Sequence, residues 1–567
     1  MTTYGAGAMT NSIPEIRDAD FLFVTGSNTT EAHPIIAMEM KRAVQRGARL
    51  AVADPRAIWL TEIADWHLQL QPGTDVWLLN AMAHVIVSEG LENRAYIETN
   101  TENFEAVRET VLRYPPEEAE KVTWVPAETI REVARAYATT EKAGIYYTLG
   151  ITEHTTGTDN VYALSNLVLM TGHLGIRSAG MNPLRGQNNV QGANDAGATP
   201  VFYPGYQRWD EPGVREKYAA AWGVPQSERP GLNLNEMMKA MIAGEIRGMF
   251  LMGEDIVVSE PNVGRVEEAM NHLEFVAVQD IFINESCRYA DVILPASCFA
   301  EKDGVFTNSD RRVQRVRKAV EPPGQARADW QILCELMKRA GLEQPDYADP
   351  GEIYAELASL APKFAGISHQ RIEREGGLQW PVPSPEAPST EFLHKGGVLR
   401  GKGLFQPVEF RPPFEEADPE YPLVLSTGRT LYHYNVATQT RRSEGLSAKQ
   451  PESFVEVHRR DAGKLGIEDG QLVDVVSRRG SVRCRAMVSK QVRPGSIWMP
   501  FHFPAAKTNL LTTDAGDAVT GTGEYKVCAA KLVPVRGEAP RKVFPGAYAA
   551  ALEEEVPLVR MAAALEE

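Results

Sequence analysis

Hydrophobic and amphipathic blocks alternate near the start of the chain and predict a βαβ unit. Residues 21–24 form an apolar run, residues 25–28 a turn, and residues 34–45 repeat apolar positions at helical spacing. Gly47 then precedes a second apolar run at residues 50–53. A buried parallel strand has a short continuous apolar run and an amphipathic helix has a 3.6-residue repeat, so this order predicts strand, helix, strand.

Further helices and strands extend this pattern through the first third of the chain. Helix-like repeats cover residues 76–88 and 126–139, and residues 144–149 resemble a strand. Thr129 and Glu132 stand at capping-box spacing near the start of the second helix. Helices that alternate with apolar strands are typical of a doubly wound parallel sheet, which we predict over residues 1–187.

A second alternation begins after a stretch rich in Gly, Asn and Pro at residues 180–206. It predicts a second doubly wound α/β domain over residues 188–345. The predicted elements are a helix at 234–243, a strand at 248–252, a helix at 263–272, strands at 275–278 and 291–294, and a helix from Asp329.

Prolines and then short strands mark the last part of the chain. Prolines crowd residues 361–422, and because proline interrupts helices and central strands, we predict an extended surface linker over residues 346–420. Short alternating strands after it predict a C-terminal β-barrel domain over residues 421–540. The Ala- and Glu-rich residues 541–567 are predicted to form a tail with a peripheral helix. The predicted barrel strands are 423–426, 472–477, 482–488 and 497–501.

Composition and charge narrow the classes of function. The chain has 567 residues, of which 43% are hydrophobic and 24% charged, the balance of a folded protein. Its formal net charge of −16 argues against nucleic acid as a partner. The longest apolar stretch, residues 161–176, is interrupted by polar residues, so no membrane span is predicted.

Cysteine usage and the N-terminal residues predict a cytoplasmic location. The five cysteines form no CxxC pair, so neither a disulfide framework nor a zinc or iron–sulfur site is predicted. Residues 1–17 lack the basic start and the apolar core of a secretory signal.

The turn after the first predicted strand is a candidate phosphate site. Residues 26–31 read GSNTTE, which includes Gly26, Asn28 and Glu31. Glycine lets backbone N–H groups approach a phosphate at the N-terminus of the following helix. The turn lacks a GxGxxG pattern, so an ordinary βα loop remains an alternative.

Aspartates at predicted strand ends and turns are candidates for contact with a nucleobase. Asp54 and Asp280 follow apolar runs, and Asp75 closes the turn that contains Gly73. A carboxylate there can accept two hydrogen bonds from the N1–H and amino edge of guanine. An aspartate of this kind, taken alone, is more often a helix cap or a turn former.

A polar segment around Arg185 is the candidate substrate site. Residues 182–192 read NPLRGQNNVQG and offer few apolar side chains for packing. Arginine presents a planar fork that matches a carboxylate in bidentate fashion, so Arg185 suits a small anionic substrate. The alternative is a surface loop with a solvated arginine.

The barrel region contributes a second set of polar candidates. Arg429 and His433 follow Gly428, and Lys526 lies in a later EYK sequence. These cationic or polar side chains suit phosphates, whereas a lone histidine such as His433 is more often structural. The chain shows no HxxH, HExxH or GxSxG pattern, so hydrolase and zinc-enzyme functions have no motif in their favour.

Taken in order, these segments resemble one family: the catalytic subunit of molybdenum- or tungsten-dependent formate dehydrogenases, among the bis-molybdopterin guanine dinucleotide oxidoreductases. The resemblance covers nearly all of residues 4–532. The block RGQNNVQG favours the formate enzymes over those acting on nitrate, sulfoxides or arsenic compounds. The matching blocks are GAGAMTN at 5–11, ADPR at 53–56, RGQNNVQG at 185–192, GVFTN at 304–308 and EYK at 524–526.

This resemblance implies a fold of two α/β domains and a barrel, and a cofactor of two molybdopterin guanine dinucleotides with molybdenum or tungsten. Arg185 would hold the carboxylate of formate, and Gln187 would support the pterin and substrate region. Electrons would pass to iron–sulfur or flavin subunits. The other implied cofactor contacts are Gly26, Asn28, Glu31, Asp54, Gly73, Asp75, Asp280, Arg429, His433 and Lys526.

The resemblance also implies an upstream segment. Family members place a selenocysteine or cysteine metal ligand and a histidine shortly before the block that begins here at Thr3, and an iron–sulfur segment earlier still. We expect these to lie upstream, where an in-frame UGA selenocysteine codon was read as a stop and translation was assigned to the next Met, so the 567 residues alone should not catalyse. The upstream segment would pack against residues 188–341 and would carry any export signal. An upstream nucleotide sequence without an in-frame UGA or cysteine codon followed by a histidine codon would contradict this.

Two other functions stay open. A metal-free scaffold subunit of an electron-transfer complex would keep this fold without a substrate, although Arg185 and its polar segment argue against that. A related molybdoenzyme acting on another small substrate is the closer alternative.

Overall fold

The computed structural model describes residues 1–342 and 346–543. Two α/β units come first and a closed barrel follows, which confirms the predicted fold class. The predicted tail helix lies, apart from residues 541–543, outside the described residues. None of the described helices combines the length and the apolarity needed to cross a lipid bilayer.

The first unit is built on a parallel sheet. Five strands pair in the order β3-β2-β1-β5-β6, and β4 lies outside this sheet. The order reverses beside β1, because β2 lies on one side of it and β5 on the other. Ligands bind at the carboxyl ends of parallel strands at such a point. The strands are Phe21–Thr25 (β1), Arg49–Ala53 (β2), Trp66–Leu68 (β3), Thr101–Glu102 (β4), Ala143–Tyr147 (β5) and Gly180–Pro183 (β6).

Helices cover both faces of this sheet. One face packs on α2 through Ile36 and Met40, and the other packs on α3, α7 and α9 in a larger apolar cluster. Burial on both faces explains the continuous apolar runs of β1 and β2. The helices are Thr29–Ala32 (α1), Pro34–Gln45 (α2), Asp75–Ser88 (α3), Arg94–Asn100 (α4), Phe104–Val111 (α5), Pro116–Thr123 (α6), Ala127–Thr139 (α7), Leu149–Thr152 (α8) and Gly157–Thr171 (α9).

The second unit carries a smaller parallel sheet of three strands in the order β11-β10-β9. Side chains of α12 and α14 bury one face of it, whereas Phe250, Met252 and Ile293 are exposed. The expected packing of this half against an upstream segment stays a prediction. Its helices are Val190–Asp195 (α10), Val214–Trp222 (α11), Leu234–Ile242 (α12), Ile256–Ser259 (α13), Val263–Asn271 (α14) and Asp329–Arg339 (α15).

Six short strands accompany β9 to β11. The strands β12, β13 and β14 form an antiparallel sheet, β7 pairs with β8, and β15 pairs with β4 of the first unit. The strands are Phe202–Tyr203 (β7), Gln207–Arg208 (β8), Gly248–Met252 (β9), Phe275–Asp280 (β10), Val292–Pro295 (β11), Gly304–Thr307 (β12), Arg312–Val316 (β13), Leu378–Gln379 (β14) and Gly403–Leu404 (β15).

The proline-rich segment is more ordered than an extended linker. It begins with the helices Pro350–Leu360 (α16) and His369–Glu375 (α17). Phe364 and Trp380 are fully buried in a cluster with side chains of β13. Large apolar residues between the prolines pack inward, so this segment contributes a core of its own. The predicted domain boundaries stay predictions.

The C-terminal unit is a closed barrel of six strands in the order β16-β20-β17-β19-β18-β21. Four of them, β16, β18, β19 and β20, were predicted, whereas β17 and β21 were missed. The strands are Leu423–Gly428 (β16), Phe454–His458 (β17), Leu472–Ser477 (β18), Gly480–Ser489 (β19), Ser496–Pro500 (β20) and Cys528–Pro534 (β21), and two helices, Glu444–Lys449 (α18) and Arg459–Leu465 (α19), accompany them.

Candidate functional site

A cleft lies between the carboxyl ends of the first sheet and the barrel. Its open volume, continuous with solvent, is about 980 Å³. It meets the strand-order reversal beside β1, where a ligand site is expected. Seven of the predicted site residues line it together: Gly26, Asn28, Asp54, Gly73, Asp75, Arg429 and Lys526.

Two turns approach closely at the floor of this cleft. Gly26 follows β1 with a positive φ of +55°, and a Cβ atom there would stand 2.6 Å from the carbonyl carbon of Gly150. Gly150 donates its N–H to the Gly26 carbonyl at 3.1 Å, and the Thr148 hydroxyl donates to the same oxygen at 2.7 Å. The close approach requires glycine at residue 26 and joins the turns after β1 and β5.

The two aspartates of the cleft are acceptors, Asp54 half-buried and Asp75 buried. Asp54 accepts the N–H of Arg56 at 2.9 Å, and burial raises its pKa to about 6. Asp75 begins α3, and burial raises its pKa as well. A carboxylate that is removed from water and has few hydrogen-bond donors in the protein can accept hydrogen bonds from a ligand.

A buried histidine beside Asp75 was not among the predicted residues. His154 Nδ1 lies 3.2 Å from Glu524 Oε1, and His154 Nε2 lies 3.0 Å from the Gly150 carbonyl oxygen and 4.0 Å from Asp75 Oδ2. Burial opposes the imidazolium, but Glu524, Asp75 and the Gly150 carbonyl oxygen together outweigh it and raise the pKa of His154 to about 9. No sequence pattern pointed to this contact, apart from the EYK block that contains Glu524.

The charged His154 makes stability depend on pH. An unfolded histidine has a pKa of about 6.5. Because the folded pKa is raised to about 9, the stabilisation is fully present below pH 6.5 and is lost as the pH rises through about 9. When the pH rises from about 7 to about 10, we expect the thermal midpoint of the wild type to fall by at least about 2 °C more than that of His154→Gln. Parallel curves for the two proteins would contradict this.

The two predicted basic residues of the cleft, which Arg56 also lines, differ in their contacts. Lys526 donates from Nζ to the Thr427 carbonyl oxygen at 3.0 Å and pairs with Glu153 Oε2 at 2.8 Å. Arg429 lies over the Phe501 ring at 4.8 Å and reaches Asn435 Oδ1 at only 3.5 Å. Arg429 is therefore the less constrained cation of the two.

Arg185 and four of the predicted cofactor contacts lie outside the cleft lining. Glu31 lies on α1 and acts electrostatically on Arg56. Gln187 is half-buried in the loop after Arg185, and its carbonyl oxygen accepts the N–H of Val190 at 3.4 Å. Asp280 accepts the N–H groups of Ile281 and Phe282 at 2.6 and 3.2 Å and shapes the turn after β10. The contacts of these three residues with the cofactor stay predictions.

The fourth of these residues, His433, has a structural environment. It is buried, with Nε2 at 2.8 Å from the Gln450 carbonyl oxygen and Nδ1 at 3.2 Å from Thr440 Oγ1. Both ring nitrogens thus have partners within the protein. Its role in holding phosphate stays a prediction.

Arg185 lies two residues beyond β6, at the carboxyl edge of the first sheet. Its Nε donates to Gln191 Oε1 at 3.1 Å, and its Nη2 donates to the Gly7 carbonyl oxygen at 2.6 Å. Its backbone N–H donates to Ser309 Oγ at 3.0 Å, and its carbonyl oxygen lies 2.8 Å from His33 Nε2. The arginine is therefore held from both sides, as a positioned group and not as a solvated surface side chain.

The segment from the end of β1 to the start of α2 contains buried polar atoms without a partner among the described residues. These atoms are Asn28 Oδ1, Thr30 Oγ1 and His33 Nδ1. An unpaired buried polar atom costs about 1–3 kcal/mol, so three of them within six residues indicate a bound group. Together with the two aspartates and with Arg56, Arg429 and Lys526, they fit a large ligand with phosphate and amide functions. Within residues 1–342 and 346–543, no three His, Cys, Asp or Glu side chains could hold a metal ion.

Known proteins resemble both parts of this chain. The signature of the molybdopterin oxidoreductase family matches residues 2–339, and that of the molydopterin dinucleotide binding domain matches residues 423–529. In its fold, the chain is similar to acetylene hydratase from Pelobacter acetylenicus, with a TM-score of 0.73 and 19% identity over 94% of this chain and 80% of that one.

Several curated relatives are more similar in sequence. A formate dehydrogenase subunit alpha of Methanococcus maripaludis is 44% identical over 93% of this chain and 78% of its own length. Formate dehydrogenase H of Escherichia coli is 40% identical over 94% of this chain and 75% of its own length. The assimilatory nitrate reductase catalytic subunit of Bacillus subtilis is 35% identical over 94% of this chain and 77% of its own length.

Proposed function

Because the chain belongs to the molybdopterin oxidoreductase family, we propose that it is the catalytic subunit of a formate dehydrogenase. In this proposal the enzyme oxidises formate to CO2 at a molybdenum or tungsten centre held by two molybdopterin guanine dinucleotides. The electrons then pass to iron–sulfur partners. The relatives named as formate dehydrogenases support the substrate, and the dinucleotide-binding signature supports the cofactor.

The position of Arg185 is the observation that carries the proposed substrate. Its Nε and Nη2 are engaged by Gln191 and Gly7, and among the described residues no hydrogen-bond partner is found for Nη1. Nη1 and the second hydrogen of Nη2 form an end-on pair that matches the two oxygens of a carboxylate. A small anion such as formate would be bound there by charge and by shape.

The residues of the cleft would hold the dinucleotide part of the cofactor. Asp54 and Asp75 are acceptors for the N–H edge of guanine, and Arg429 and Lys526 are cations for its phosphates. Asn28 offers an unpaired acceptor at the same place. When bound, the metal–pterin group accepts the two electrons of formate.

The chain's own residues would bind and orient the substrate. Formate oxidation releases CO2, one proton and two electrons, and the one-carbon product has no further group to hold. Arg185 would bind the carboxylate and fix the direction of the C–H bond. The attraction between the Arg185 guanidinium and the formate carboxylate is strongest where water is excluded. Arg185 is half-buried between the turns that contain Gly7 and Ser309.

A related molybdoenzyme acting on another small anion is the second candidate function. The similarity to a nitrate reductase catalytic subunit favours it, since nitrate is also planar and anionic. A metal-free scaffold subunit is disfavoured by the held guanidinium of Arg185, which has no purpose without an anion.

One set of assays on the purified full-length enzyme separates these functions. We expect molybdenum or tungsten together with pterin in about a two-to-one ratio of pterin to metal, and reduction of a viologen dye with formate. Dye oxidation with nitrate but no activity with formate would favour the second candidate. Absence of metal and pterin from enzyme produced under cofactor-replete conditions would contradict both enzyme functions.

A further inference from the structure

A hydrogen-bonded chain of buried side chains lies behind Arg185. Gln191 Oε1 accepts from Arg185 Nε, and Gln191 Nε2 donates to Asp195 Oδ1 at 2.8 Å and to the Tyr206 hydroxyl at 2.7 Å. Asp195 Oδ2 accepts from Trp380 Nε1 at 2.7 Å. Gln191 and Asp195 lie one turn apart on α10, and both are buried.

The direction of the Gln191 amide is the critical feature of this chain. A carboxamide has a donor end and an acceptor end of nearly equal size, so packing alone does not decide which end faces Arg185. An ionised carboxylate can only accept. Asp195 therefore requires the NH2 end of Gln191, which leaves the carbonyl oxygen for the Arg185 Nε–H group.

We propose that Asp195 is a positioning residue for substrate binding: its carboxylate orients the Gln191 amide, which in turn orients the Arg185 guanidinium toward the substrate anion. This inference rests on the proposed function, because it assigns Asp195 to the same anion site. Asp195 does not touch the substrate and acts only through Gln191.

The opposite amide orientation shows why the carboxylate matters. If Gln191 turned over, its NH2 group would face the Nε–H group of Arg185, and two donors would meet without an acceptor. Such a buried mismatch loses one hydrogen bond and leaves a polar group unpaired. Arg185 would then leave the Gln191 contact, and its end-on N–H pair would no longer point in one direction.

Ionisation of Asp195 gives the inference a pH signature. Burial raises its pKa to about 6, against hydrogen bonds from Gln191, Trp380 and Tyr206 and the charge of Arg185. Protonation makes Asp195 a possible donor and removes its preference for the NH2 end of Gln191. We therefore expect KM for formate to rise as the pH falls through about 6. The titratable and charged groups that face Asp195 are Arg185, Tyr206, Arg311, Tyr354 and Lys363.

The test is Asp195→Asn in the cofactor-loaded enzyme, because asparagine keeps the size and removes the acceptor-only carboxylate. We expect KM for formate to rise about tenfold or more, kcat to change less than about threefold, and the acid rise in KM to disappear. Trp380→Phe is the matched control: it removes a different hydrogen bond of Asp195, the one from Trp380 Nε1, but keeps the carboxylate. It should leave KM within about threefold and keep the acid rise.

Gln191→Met supplies a second variant that keeps the inference falsifiable. Methionine removes the amide, so Asp195→Asn added to Gln191→Met should not raise KM further. Additive effects on KM, or an unchanged KM and pH profile in Asp195→Asn with normal pterin content, would overturn the inference. If the wild type itself fails to oxidise formate, the proposed function fails instead, and the two failures are distinguishable.

Discussion

Replacing Arg185 by lysine is expected to lower kcat/KM for formate by about 100-fold, which corresponds to about 3 kcal/mol. Lysine keeps the positive charge but has neither the Nε–H group held by Gln191 nor the planar end-on pair. The loss should fall on KM and on kcat together, because a loosely held anion is both bound less tightly and oriented less well. Steady-state kinetics with formate measure it.

The control for this experiment is Arg135→Lys. Arg135 forms an exposed pair with Glu89 on the surface of the first unit, and its replacement should leave kcat/KM unchanged. Metal and pterin contents of Arg185→Lys must match the wild type, so that the comparison concerns substrate and not loading. Wild-type kinetics in a fully loaded Arg185→Lys enzyme would remove Arg185 from the substrate site.

Replacing Gly26 by alanine is expected to destabilise the first unit and to abolish loading with the dinucleotide. The positive φ costs an alanine about 1–2 kcal/mol, and the overlap of its Cβ with the Gly150 backbone adds about 1–3 kcal/mol. Backbone atoms line the contact on both sides, so relief requires the two turns to separate. Separation would change the floor of the cleft. Thermal unfolding and pterin content measure the two effects.

Gly90→Ala is the matched control. Gly90 has a φ of +68°, similar to that of Gly26, but a Cβ atom there would meet nothing within 4 Å. It should therefore show only the backbone cost and load normally. If Gly26→Ala and Gly90→Ala lower the thermal midpoint equally and both bind pterin, the close approach of the two turns has no role in cofactor binding.

The sequence predicted much of the candidate site because several residues stand at fixed places in local patterns. Gly26 and Asp54 follow the first two strands, and their position at one sheet edge follows from the parallel order β1 and β2. Arg185 was singled out by its residue type and its polar surroundings. The strand β6 that precedes it was missed, since GMNP contains glycine, asparagine and proline.

Contacts between distant segments could not be predicted. The orientation of Arg185 depends on Gly7, Gln191 and Ser309, which come from three different parts of the chain. The proline-rich segment was predicted to be an extended surface linker, but in the structure it has a buried apolar cluster. Proline content reports on local conformation and not on the burial of Phe364 and Trp380.

By itself the sequence determined three of the five strands of the first sheet, the helices α2, α3 and α7 that pack on it, and four of the six barrel strands, since their hydrophobic repeats are local properties of the chain. Only the tertiary structure decided that Asp75, His154 and Glu524 meet in one cleft and that Asp195 lies behind Arg185. The physical reason is that charge, burial and hydrogen bonding at a site depend on which distant segments are brought within a few ångströms. No periodicity along the chain records those distances.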